Sequence, residues 1–116
     1  MLMSQLDCIN LFTEHTLLAT DDPTLLAQTV WINKLREIFE MWEFANTEMI
    51  ALECPSELAE FCSETILAAE DSNWGMVFYM RGVENLDPDL LDIATGYVKE
   101  SAVHTLNAAA ILDGIQ

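Results

Sequence analysis

The sequence predicts an all-α domain, a bundle of about five helices, and three observations carry that prediction. Glycine and proline are scarce, 4 and 3 among 116 residues, and most fall where a helix would begin or end. No stretch alternates convincingly as a half-buried strand does. Apolar residues instead recur at steps of three and four. Met76-Val77-Phe78-Tyr79-Met80 is the one apolar run with enough β-favouring content to hide a short strand.

The boundaries follow from local chemistry. Asp22-Pro23 and Asp87-Pro88 each read as an N-cap followed by proline at the first helical position. Pro55-Ser56-Glu57 opens another helix, with the early acidic residue that the macrodipole favours. Asp71-Ser72-Asn73 reads as a polar break, and Asp113-Gly114 as a stop. These signals place helices at Ser4–Ala19, Pro23–Leu52, Ser56–Glu70, Trp74–Val83 and Pro88–Leu112. The second is long, and Asn46 and Thr47 are weak helix formers, so a bend is expected near Phe44–Thr47. By length, residues 1–116 make one acidic helical domain.

Two helical faces stand out. Trp31, Leu35, Ile38, Trp42, Ala45, Met49 and Leu52 repeat in steps of four and three, a heptad-like seam of large side chains. Leu91, Ala94, Val98, Ser101, Thr105, Ala108 and Leu112 form a matching row of smaller ones. Large facing small packs closely, so the two helices are expected to be neighbours. Packing within the bundle is the plainer account of the seam; the alternative gives part of it, Trp31 and Trp42 above all, to a subunit interface.

Chemistry-bearing motifs are few. His104 has Glu100 one helical turn before it, and His15 has no such partner. No Glu-x-x-His pair or Cys/His cluster supplies a metal's ligands, so no metal is expected. Cys8, Cys54 and Cys62 make an odd count without a CxxC pair, which reads as free thiols, buried, in a reducing compartment. Ser56, Ser63 and Ser101 have no base motif beside them, and the four glycines form no phosphate loop. The expectation is a protein without catalytic residues or cofactor. No apolar run is long enough for a membrane span, and the N-terminus lacks the basic region of a signal peptide. A cytoplasmic location follows.

What remains is charge. The chain has 20 Asp and Glu against 4 Lys and Arg, a net charge of -16, although 52% of it is hydrophobic. Such a chain can build a core and must carry its charge outside. That surface repels nucleic acid and anionic membrane and attracts basic proteins. The carboxylates form rows: Glu37, Glu40 and Glu43; Glu53, Glu57, Glu60 and Glu64; and Asp87, Asp89 and Asp92. Like charges so spaced repel along a helix, and lysine is nearly absent where it would relieve them.

Carboxylates seven positions apart on a helix lie about 10.5 Å apart along its axis, close to three phosphate steps of a DNA strand at about 3.4 Å each. An acidic helical body can therefore stand in for nucleic acid in a basic channel. Small acidic helical proteins of this kind occur among phage-encoded inhibitors of restriction and CRISPR systems, and the chain is similar to them in class, without a shared motif. The expected partner is a basic surface of a nucleic-acid-binding protein or complex, met by the three acidic rows and Trp42. Direct nucleic-acid or membrane binding is not expected. Two alternatives come from the surplus of aromatic and Met side chains: an adaptor or chaperone holding an amphipathic client helix, or a homodimer kept in solution by its charge.

Overall fold

In the computed structural model, which describes residues 2–51 and 53–115, the chain is all α-helical with no strand among those residues. Four helices run antiparallel to their neighbours in sequence: α1 Leu2–Asp21, α2 Thr29–Ala51, α3 Ala59–Asn85 and α4 Pro88–Ile115. α4 also packs on α1, so the four close into an up-and-down bundle measuring 48 × 20 × 19 Å.

Both proline-led starts are present. Asp22 Oδ1 accepts from the Thr24 backbone N–H at 3.2 Å and from its hydroxyl at 2.6 Å. Asp87 Oδ1 accepts from the Asp89 N–H at 3.0 Å at the head of α4. The first cap opens only a 3-10 turn, Pro23–Ala27. Gln28 is then extended, and α2 starts afresh at Thr29. The long second helix is therefore two pieces, and the turn lays Leu25 and Leu26 against the core. Pro55-Ser56-Glu57 likewise leads through a 3-10 turn, Ser56–Leu58, into α3. α4 continues through Gly114 to Ile115 rather than stopping at Asp113.

Neither helix is broken at the places where a break was expected, and one polar cluster accounts for both. α2 runs unbroken through Phe44–Thr47, and α3 runs unbroken through Asp71-Ser72-Asn73, so four α-helices replace the expected five. The Asn46 amide is fully buried and donates to Ser72 Oγ at 2.8 Å, to Asn73 Oδ1 at 2.8 Å and, more weakly, towards the Ala69 carbonyl at 3.3 Å. Ser72 in turn donates to the Ala69 carbonyl at 3.0 Å. Residues that disfavour an isolated helix thus satisfy one another between two helices. In low dielectric such a network is worth keeping only when fully bonded.

The seam of large side chains is core. Trp31, Leu35, Ile38, Trp42 and Met49 are buried and Ala45 is half-buried; Leu52 lies outside the described residues. They pack against α1, where Phe12 meets Trp42 and Phe39 at 5.8 Å each, and against Tyr79 of α3, 5.0 Å from Phe12. One turn further along α1, the His15 and Trp31 rings stack at 4.6 Å. Trp31 Nε1 donates to the His15 carbonyl at 3.1 Å, and His15 Nε2 donates to the Trp31 carbonyl at 2.8 Å. Because a carbonyl only accepts, His15 must carry its hydrogen on Nε2.

In the small-residue row of α4, Ala94, Val98, Ser101, Thr105 and Ala108 are buried and Leu91 and Leu112 half-buried, but the row faces α3, not the seam of α2. A Cβ at Gly82 would lie 2.7 Å from Leu91 Cδ2, and one at Gly75 would lie 3.0 Å from Val98 Cγ2. Ser101 Oγ donates to the Ala68 carbonyl at 2.7 Å. Small side chains on both helices allow this close approach, whereas the bulk of α2 demands the aromatic room around Phe12 and Tyr79. Burial pushes the Tyr79 phenol up to about 12. The unfolded chain releases that proton near 10 and the native one later, so stability is expected to fall as pH rises from about 10 to about 12, by up to about 3 kcal/mol, with no such effect below. Tyrosinate absorbance during an alkaline titration, compared with that of Tyr79→Phe, checks this; a native Tyr79 that ionises near 10 would contradict it.

The cysteines correct the sequence reading. Cys54 and Cys62 form a disulfide, with Cα atoms 6.3 Å apart, and only Cys8 is free among the described residues and buried. The odd count concealed one pair and one core thiol. The bridge ties the connector after α2 to the first turns of α3 across 8 positions. Closing so short a loop in the unfolded chain is worth about 2–3 kcal/mol. Cys54→Ser with Cys62→Ser is expected to cost that much in urea unfolding, and an unchanged midpoint would contradict it.

Candidate functional site

All 20 carboxylates reach the surface; Glu64, Asp71 and Asp87 are half-buried and the rest are exposed. Lys34 and Glu37 at 3.6 Å make the one Lys/Arg–carboxylate pair within ion-pair distance among the described residues. The helices hold the rows at different places. Glu37, Glu40 and Glu43 lie on exposed positions of α2. Glu53 and Glu57 lie in the α2–α3 connection, with Glu60 and Glu64 on the first turns of α3, at the end of the bundle opposite Asp87, Asp89 and Asp92. The charge therefore wraps the bundle and does not form a single stripe.

Two expected site residues have other roles. Trp42 is 0% exposed and belongs to the core, so it offers a partner no surface. Glu64 is engaged within the chain: its Oε2 accepts from His104 Nδ1 at 2.5 Å. Asp71 lies 3.6 Å from His104 Nε2 on the other side of the ring. The partners of His104 thus come from α3, not from Glu100 on its own helix. Burial raises the Asp71 carboxyl above its ordinary value; His104 opposes the shift, and Glu100 and Glu70 add to it. Among the described residues no set of three His, Cys, Asp or Glu side chains is placed to hold a metal ion.

Two of the surface hollows that combine charge with apolar lining lie along α3. Between α2 and α3, about 380 Å³ is bounded by Phe39, Met76 and Met80 with Arg36, Arg81, Glu40 and Glu43 around them. On the outer flank of α3 and α4, a wider hollow of about 560 Å³ has Leu67, Ile93, Gly96 and Tyr97 as its apolar part and Asp71, Glu100 and His104 as its polar part. An aromatic stack continues from it: Tyr97 lies on Phe78 at 5.6 Å, and Phe78 on Trp74 at 6.1 Å. Trp74 is 55% exposed at the end of that stack.

The sequence reading missed this flank. Leu67, Asp71, Trp74 and Phe78 follow one another at steps of four, three and four, the helical spacing that would have joined them had α3 not been cut at Ser72. No protein family, no curated protein and no solved structure matches this chain.

Proposed function

We propose that this chain is a non-catalytic acidic protein that binds the basic surface of a nucleic-acid-binding protein or complex and blocks it by standing in for nucleic acid. Phage-encoded antirestriction and anti-CRISPR inhibitors work on such targets. The observation that carries the reading is a rigid helical body with every carboxylate at its surface and a single Lys–Glu pair among the described residues to offset them. Carboxylates carried on packed helices need no backbone ordering on binding, which favours association, and their field steers a basic partner. The test is affinity capture from nuclease-treated host lysate. The proposal expects a nucleic-acid-binding protein that salt releases; partners indifferent to salt would sink it.

A second reading has its own support. Phe44 is 66% exposed, and Val30, Trp74, Leu86 and Leu106 also stand in solvent. Exposed aromatic side chains such as Phe44 and Trp74 suit an adaptor for an amphipathic helix or a homodimer. A salt-resistant single partner, or a stable dimer with no partner, would favour it. As for location, an exposed disulfide is more at home in an oxidising compartment. A cytoplasmic site rests here only on where nucleic-acid-binding partners work. No helix is long and apolar enough to cross a membrane among the described residues.

A further inference from the structure

Gly96 has no reason within the chain to be glycine. It sits inside α4, where glycine costs a helix about 1 kcal/mol relative to alanine. Gly75 and Gly82 repay that cost by letting α3 and α4 approach, but a Cβ at Gly96 would meet nothing within 4 Å. The residue lies in the hollow with Ile93, Tyr97 and Glu100, at the Tyr97 end of the stack whose other, exposed end is Trp74. A bare backbone in an apolar hollow is suited to close approach by another molecule.

We infer that this α3–α4 flank is the docking surface for a basic amphipathic helix of the partner, with an arginine of that helix set between the Trp74 ring and the carboxylates of Asp71 and Glu100. The inference rests on the basic-partner reading above and gives it a place. Charge complementarity selects the occupant. An apolar hollow edged by two carboxylates accepts apolar side chains only if they arrive with positive charge. A guanidinium both stacks on an aromatic face and donates to carboxylates in its plane. A second copy of this chain would bring a net charge of -16 to the same edge. Trp74 supplies the large amphipathic side chain typical of the centre of an interface.

The probe is a synthetic amphipathic helical peptide with leucines on one face and arginines flanking them, compared with the same peptide carrying citrulline for arginine. Binding is followed by fluorescence anisotropy at low salt. Trp74→Ala is expected to weaken the arginine peptide about tenfold or more. Gly96→Ala is expected to weaken it while raising the melting temperature, a combination that a folding defect cannot produce. Changing Glu14 and Glu48 to glutamine, on α1 and α2 and outside the three acidic rows, is expected to alter affinity less than about threefold, and the citrulline peptide should bind far more weakly. Equal binding to wild type, Trp74→Ala and Gly96→Ala would overturn the docking surface and leave the basic-partner reading standing. No peptide binding at all would overturn it as well, and the reading itself is then judged by salt and DNA competition on the captured partner. A wild-type dimer that Trp74→Ala turns into a monomer would assign the flank to a second copy and overturn the basic occupant.

Discussion

Trp42→Ala is expected to destabilise the fold by about 3–5 kcal/mol, the range for removing a buried aromatic side chain. Trp42 has no exposed surface, and its ring packs at a tilt on Phe12, which also touches Phe39 and Tyr79. The hole therefore opens where α1, α2 and α3 meet, among rings too rigid to collapse into it. With a total stability of order 5–15 kcal/mol, the variant would sit near the edge of folding. Urea unfolding followed by far-ultraviolet circular dichroism measures the loss. A change below about 1 kcal/mol would mean that Trp42 is at a surface and the core is arranged differently. Any loss of partner binding in this variant is expected to follow the loss of structure. Trp42→Phe, which keeps most of the packing, should restore both.

Replacing Glu53, Glu57 and Glu60 together by glutamine is expected to do the opposite: weaken partner binding about tenfold or more while leaving the melting temperature equal or higher. All three are exposed, and none has an ion pair among the described residues. The chain carries a net charge of -16, so neutralising three carboxylates lessens the self-repulsion of the free protein. Bound to a basic surface, the same charges become complementary, and their loss is felt mainly in the rate of association at low salt. Glu64 is kept as it is, because its bond to His104 joins α3 to α4 and its removal would mix stability with binding. Surface plasmon resonance at two salt concentrations, beside thermal unfolding, separates the two effects. Unchanged affinity with a raised melting temperature would show that this row does not face the partner.

Much of the fold was legible in the sequence because periodicity and capping act locally. Asp87-Pro88 marks the start of α4, Asp22-Pro23 caps a 3-10 turn, and the described residues of both heptad-like rows are buried or half-buried. What the sequence misled on depends on contacts between distant residues. Asn46, Ser72 and Asn73 look like helix breakers until they are placed across from one another, 26 and 27 positions apart, where they bond. Cys54 and Cys62 look like spare thiols until the connector folds back on α3. The large row on α2 and the small row on α4 suggested each other, but Gly75 and Gly82, unremarkable in the sequence, claimed α4 for α3. For the candidate site, the acidic rows were legible as exposed positions, because charge and helical spacing are enough for that. The flank around Trp74 was not: it requires one unbroken α3 and the nearness of Tyr97, which only the pairing of the last two helices provides.

On the proposed function, the acidic surface occupies a nucleic-acid site on a basic protein. The most direct measurement is the affinity of this chain for its purified captured partner, titrated against salt and against competing duplex DNA. The account predicts that affinity falls steeply as salt rises and that DNA and this chain exclude each other from one site. Simultaneous binding of DNA and this chain, with an affinity indifferent to salt, would contradict it.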